Sequence, residues 1–227
     1  MEMDARFARH ARLWPLVVAH CAPAELAHDQ HHVLRVYRWA LKLAPEAGVD
    51  PDLAGATALV HDLDAIPKDS PERAQGGERS ARLAATPLAA AGYASDEIAA
   101  VIEAVRTSSW SRGLVATSAL GALLHDADRL DAIGALGIAR VFACAQRMST
   151  PERPGRFYDP ADPLAEAARA LDDRRQAVDH FAAKLLTLAA GMHLPSARAE
   201  AAHRHATMLA YLDALRRELA AQIPNPP

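Results

Sequence analysis

Two short segments place ionisable side chains where apolar ones are expected. His61 and Asp62 interrupt the run ALVHDLD, and Asp126, Asp128, Arg129 and Asp131 interrupt LLHDADRLDAIG. Burying a charge is costly unless it is paired or held by a cation. Imidazoles and carboxylates on otherwise apolar helices therefore require a compensating ion. Adjacent residues on a helix lie about 100° apart, so His61 and Asp62 reach one ion only if it sits against the helix flank between them. Mixed nitrogen and oxygen donors suit Mn, Fe, Co, Zn or Mg better than metals that prefer thiolate. Two neighbouring ligands cannot fill a coordination shell. An upstream His is the natural third, drawn from His28, His31 or His32 in AHDQHHVLRVYRWA. Asp126 and Asp128 compete for the last position, because residues two apart point to different sides of a helix.

The same ion would acidify a water and polarise a phosphate oxygen. Phosphate also needs cations of its own. Lys68 and Arg73 follow the His-Asp pair in KDSPER, Arg129 follows Asp128 directly, and Arg35 lies one turn after His32. The candidate catalytic carboxylates are Asp62, Glu78 and Asp131, with Asp64 a further option.

The elements that must position these groups are all helical. The 227-residue chain is 51% hydrophobic and 5% aromatic, and Val, Ile and Thr never cluster in alternating runs. That pattern favours helix throughout. Helices are expected over 4–20, with a kink or restart at Pro15, and over 29–44, ended by Pro45 and Gly48. Val33, Val36, Tyr37, Ala40 and Leu41 give the second an apolar stripe, with His32 on its edge. Asp50-Pro51 starts a helix that carries His61 and Asp62 inside it. Residues 64–77 read as a functional loop. Further helices are expected at 78–91, at 95–107 with Ser95 as its cap, across one long zone from 114 to 147, and over 164–190 and 196–221. A second loop spans 149–163, and the tail 222–227 reads as disordered. Asp172, Asp173, Arg174, Asp179, His180 and Lys184 read as a solvated helix face carrying i,i+4 pairs. Trp14, Trp39, Trp110, Tyr37 and Phe142 are expected in the core, with Trp110 or Tyr158 as options for stacking on a base. His125 reads as a packed or exposed His and not as a ligand.

Composition excludes several classes. The net charge is -3, so the chain lacks the basic excess that grips polymeric DNA or RNA. No apolar run approaches the ~20 residues of a membrane helix, and MEMDARFARH has no signal core. Cys21 and Cys144, the only cysteines, read as reduced, buried thiols of a cytoplasmic protein.

HHVLRV, ALVHDLD and HDADRLDA, in that order, resemble the HD superfamily of metal-dependent phosphohydrolases. The resemblance implies an all-α, single compact HD-type domain over 1–227. Its metal-site core would span about 25–147 and a C-terminal helical extension about 162–221. It implies His32, His61, Asp62 and Asp128 as ligands of one divalent metal ion, with Mn favoured and Mg, Co, Ni, Fe or Zn as alternatives. Asp126 then orients a His ligand or lies on the surface. AHDQHHVLRV, KDSPER, DADRLDAIGALGIARVFA and LDDRRQAVDHFAAKLLTL are similar to a bacterial branch of uncharacterised HD hydrolases, over roughly residues 25–220. Some members of that branch resemble nucleotide pyrophosphohydrolases. The implied substrate is a small phosphorylated molecule, a nucleotide first, cleaved as a pyrophosphohydrolase or nucleotidase would. Many HD proteins carry extra His residues before the last Asp and so build a second metal site. Here that helix reads AVIEAVRTSSW, which argues against a two-metal phosphodiesterase and a di-iron oxygenase. A non-catalytic metal or nucleotide-binding module is the competing reading, and an Ala-rich helical surface could support a homodimer.

Overall fold

A computed structural model of the chain describes residues 3–21, 26–64, 66, 70, 72, 75–109, 112–167 and 169–221. Among these residues there are helices and two isolated bridges, Arg156 with Gln176 and Asp159 with Asp162, and no sheet. Chain contacts divide into two units, residues 1–131 with 192–197 and residues 132–191 with 198–227.

The first unit is organised around its most apolar helix. It contains α1 (Ala8–Val18), α2 (Gln30–Ala47), α3 (Pro51–Val60), α4 (Gly76–Ala91), α5 (Ser95–Arg106) and α6 (Ala119–Asp131). Every residue of α3 from Ala54 to Val60 is buried, as a helix apolar all round demands. It packs against α1, α2, α4, α5 and α6. Asp50 caps it by accepting from the Asp52 N–H, and Pro51 opens it. Gly55 lets His10 and Tyr37 close on the helix backbone; a Cβ there would overlap the His10 ring. α2 and α3 pack against each other, and His32 near the start of α2 lies beside His61 at the end of α3, their ring centroids 5.3 Å apart.

Several helix limits differ from those expected. α2 continues through Pro45, whose ring faces solvent, and stops at Gly48 in the left-handed conformation (φ 63°). α1 likewise runs through Pro15. α3 ends at Val60, so His61 is its C-terminal cap and Asp62 lies in the turn beyond. Ser95 is the first residue of α5 and Ala94 its cap, the Ala94 N–H being taken by Glu97 at 2.7 Å. Tyr37 is buried as expected, whereas Trp14, Trp39 and Phe142 are half-buried. Trp110 and the tail 222–227 lie outside the described residues. Cys144 is buried and Cys21 half-buried, and both are free thiols.

The expected 114–147 zone is two helices. Gly134 takes φ 78° and starts α7 (Gly134–Met148) in the second unit. The expected helix at 164–190 is largely absent. Among the described residues of that range, helix is confined to its end: Asp179 and His180, a π-turn at Phe181–Leu185, the three residues of α8 (Leu186–Leu188) and a 3-10 turn at Ala189–Gly191. Carboxylates replace the helical ladder upstream. Asp162 accepts from the N–H groups of Glu166 and Ala167, and Asp179 from that of Asp172. Asp179 is fully buried rather than solvated, and the Arg169 guanidinium grips it with bonds of 2.7 and 2.6 Å. A cavity of about 400 Å³ in this unit is lined by Phe142, Phe157 and Tyr158 among others. The last helix, α9 (Pro195–Ala220), begins in the first unit and continues in the second. No helix among the described residues is long and apolar enough to cross a membrane.

His10 ties α1 to the core. It is fully buried, with Nδ1 3.0 Å from the Tyr37 hydroxyl and Nε2 2.8 Å from the Asp52 carbonyl. Burial pulls its pKa below the ordinary 6.5, and His125 is displaced the same way for the same cause. The unfolded chain then binds protons more readily than the folded one just below that value. The stability these groups confer is complete above about pH 6.5 and is lost as pH falls below it. The urea midpoint should drop between neutral pH and the onset of carboxylate protonation. His10→Gln should cost about 1–3 kcal/mol and make that decline shallower. An equal slope in wild type and variant would contradict this.

Candidate metal centre

His32, His61 and Asp128 come together from three helices. His32 sits in the first turn of α2, where Asp29 caps the helix by accepting from the His32 N–H at 2.9 Å. His61 closes α3, and Asp128 lies in the last turn of α6. One ligand atom from each falls within 4.8 Å of the other two. Both rings are buried, and the Asp128 side chain is 38% exposed. The cluster is therefore walled by protein on the imidazole side and reachable from solvent on the carboxylate side.

Hydrogen bonds select the tautomer of each ring. His61 Nδ1 donates to the Ala58 carbonyl at 2.7 Å. That carbonyl belongs to the last turn of α3 and has no helical donor of its own. His32 Nδ1 donates to the Asp131 carboxylate at 2.8 Å. In each neutral ring the lone pair then resides on Nε2. The two Nε2 atoms lie 3.6 Å (His32) and 3.9 Å (His61) from Asp128 Oδ1. These separations are too long for hydrogen bonds. They suit donors on one ion, since bonds of ~2.1 Å put neighbouring ligands about 3.0–3.4 Å apart and opposite ones about 4.2 Å apart. Two lone-pair nitrogens and a carboxylate oxygen fit a divalent metal.

The other expected site residues are distributed unevenly. Asp62 is half-buried and is not one of the three converging groups. Asp131 is buried, and besides His32 it accepts from Arg35 Nε at 2.6 Å and Nη2 at 3.0 Å. This carboxylate lifts the Arg35 pKa. Arg35 thus faces Asp131, and Asp131 in turn bonds His32. Arg129 Nη2 lies 3.3 Å from His125 Nδ1, and burial lowers the Arg129 pKa. His125 is packed, with Nε2 2.8 Å from the Thr107 carbonyl. Glu78 lies in the first turn of α4 near Arg82 (3.5 Å) and Arg112 (3.8 Å). Asp64 pairs with Arg79 at 2.5 Å. His31 is exposed, and the His28 ring centroid is 5.7 Å from that of His32. Lys68 and Arg73 lie outside the described residues.

Asp126 neither orients a ligand His nor lies on the surface. It is fully buried and accepts from the N–H groups of His193 and Leu194 at 2.7–3.0 Å, just before α9. Nothing in the local sequence announces a partner so distant. The Asp131 role had a local signal. Asp128 and Asp131 are three apart on one helix, and so are His32 and Arg35 on another, so each pair shares a face.

Comparison with known proteins adds an independent line. Residues 30–133 match the model of the HD domain. The uncharacterised Bacillus subtilis protein YpgQ is 32% identical over 196 residues, which cover 85% of this chain and 84% of YpgQ. The crystal structure of YpgQ in complex with ADP matches with a TM-score of 0.65 at 28% identity, covering 95% of this chain and 98% of that one. A Lactobacillus plantarum protein gives a TM-score of 0.74 at 28% identity, over 97% of this chain and 100% of its own. An HD-superfamily hydrolase from Bacillus thuringiensis gives 0.63 at 26% identity, over 94% and 100%.

His61→Ala and Asp128→Ala should each weaken Mn(II) binding by more than about tenfold, measured by calorimetric titration, while circular dichroism retains the helical signal. Unchanged affinity in either folded variant would remove that residue from the shell.

Proposed function

The chain belongs to the HD-domain family, and from that membership we propose that it is a metal-dependent phosphohydrolase acting on a small phosphorylated molecule, a nucleotide first. The observation that carries the reading is the pair of imidazoles whose Nε2 lone pairs face one carboxylate oxygen. The YpgQ crystal structure with ADP supports a nucleotide as the ligand class. The Bacillus thuringiensis relative, an HD-superfamily hydrolase, supports hydrolysis.

His32, His61 and Asp128 would hold one divalent ion, and Asp62, next to His61 in the turn after α3, is assigned as the fourth ligand. When bound, Mn or a similar ion supplies Lewis acidity to a phosphate oxygen and lowers the pKa of a water. The chain's own groups do the rest. The rings are buried and Asp128 is 38% exposed, which favours approach from the Asp128 side. Lys68 and Arg73 are assigned to the phosphate oxygens as charge-assisted donors, with Arg129 behind Asp128 adding positive potential. Glu78 is assigned as the proton carrier of the candidate set, since its Arg82 and Arg112 neighbours stand off at 3.5 and 3.8 Å, whereas Asp64 is held by Arg79 at 2.5 Å and Asp131 by Arg35 at 2.6 Å and His32 at 2.8 Å.

Purified protein incubated with Mn, Mg, Co or Ni and with nucleoside mono-, di- and triphosphates tests this reading. Turnover is expected with at least one ion, and Asp128→Ala should lower it by more than the ~10–100-fold typical of outer-shell changes. Release of pyrophosphate identifies a pyrophosphohydrolase and release of phosphate a nucleotidase. Folded, metal-loaded protein that turns over none of these compounds, yet binds them, would replace the enzyme with a nucleotide-binding module.

A further inference from the structure

The pair Arg35 and Asp131 has no place among the metal-facing atoms, yet it is built with more care than a surface ion pair. Asp131 is 1% exposed. Its Oδ1 accepts from Arg35 Nε at 2.6 Å, and its Oδ2 accepts from both Arg35 Nη2 at 3.0 Å and His32 Nδ1 at 2.8 Å. Each of these contacts joins the last residue of α6 to the first two turns of α2.

We infer that Asp131 is a positioning residue that fixes His32 as its Nδ1–H tautomer, and that Arg35 holds the Asp131 carboxylate in the one orientation that does so. The inference rests on the metal-centre reading above and deepens it. A neutral imidazole offers one donor and one acceptor. A carboxylate presents acceptors only, so a ring nitrogen pressed against it must carry the proton. That leaves Nε2 with the lone pair on the side of Asp128. Arg35 presents donors only and uses the planar fork that matches a carboxylate. It therefore requires both Asp131 oxygens to remain acceptors. Outer-shell carboxylates that orient ligand histidines commonly contribute about 10–100-fold to metal affinity.

The same bookkeeping yields a rescue that a merely space-filling role would not. In Asp131→Asn one oxygen becomes an NH2 group. The Arg35 fork and the His32 N–H then compete for a single acceptor, and one orientation of the amide presses a donor against His32 Nδ1. That orientation favours the proton on Nε2, where it blocks metal. Adding Arg35→Met removes the competitor, so the amide oxygen can turn to His32 and restore the Nδ1–H tautomer.

The test has two readouts. Nitrogen-15 spectra of histidine-labelled, metal-free protein at mildly alkaline pH report which His32 nitrogen carries the proton, and need no substitution in the first instance. Wild type should show a protonated Nδ1 and a bare Nε2. Calorimetric titration with Mn(II) should then show Asp131→Asn weaker than wild type by about 10–100-fold, and Arg35→Met/Asp131→Asn tighter than Asp131→Asn by at least about threefold. A wild-type His32 bare at Nδ1 overturns the inference. So does Asp131→Asn binding Mn(II) within about twofold of wild type, or a double variant no tighter than the single one. If wild type shows the expected tautomer but binds no metal ion, the metal-centre reading falls while the Asp131–His32 assignment stands on the spectrum.

Discussion

A buried imidazole has one N–H to satisfy and one lone pair to place. In this protein both buried site histidines satisfy the N–H on the side away from Asp128, His32 with Asp131 and His61 with the Ala58 carbonyl. Each lone pair is thereby directed at the same carboxylate oxygen. That constraint decides the chemistry, because rings of the opposite tautomer would point two N–H groups at the place where a cation must sit. It also governs the surroundings. The acceptor for His61 is a helix-end carbonyl, and the acceptor for His32 is a carboxylate that Arg35 neutralises. Neither solution leaves an uncompensated buried charge.

The fold exists to bring three helix ends to that point. α3 is apolar on every side, so it must be covered on every side, and α1, α2, α4, α5 and α6 supply the cover. Its C-terminal end is fixed by this burial, and His61 with it. α2, packed on α3, sets His32 beside it, and α6 brings Asp128 and Asp131 on a shared face. Asp126, on another side of α6, accepts from the backbone of His193 and Leu194 and so anchors the residues that lead into α9. One helix thus directs Asp128 to the site, Asp131 to a ligand's support and Asp126 to an architectural bond.

Much of this was legible in the chain. Asp50-Pro51 and the unbroken apolar run after it announced α3, Gly48 announced the end of α2, and the character of HHVLRV, ALVHDLD and HDADRLDA pointed to the converging groups. What failed did so for physical reasons. Charge and Ala content between 164 and 180 resemble a helix, yet Asp162 and Asp179 bind backbone N–H groups and Arg169 instead, a competition that propensity does not register. Proline at 15 and 45 suggested breaks, but both face solvent within continuing helices. Asp131 and Arg35 were expected in acid–base and phosphate roles; what the sequence did not show is that they bond each other across two helices far apart in the chain.

The central claim is that His32 Nε2, His61 Nε2 and an Asp128 oxygen share one divalent cation. Anomalous diffraction at the manganese edge from crystals soaked in Mn(II) addresses it directly. The account predicts a single strong peak within about 2.0–2.4 Å of all three atoms, with both Nδ1 contacts, to Asp131 and to Ala58, retained. A peak elsewhere, or rings turned so that Nδ1 faces the ion, would contradict it.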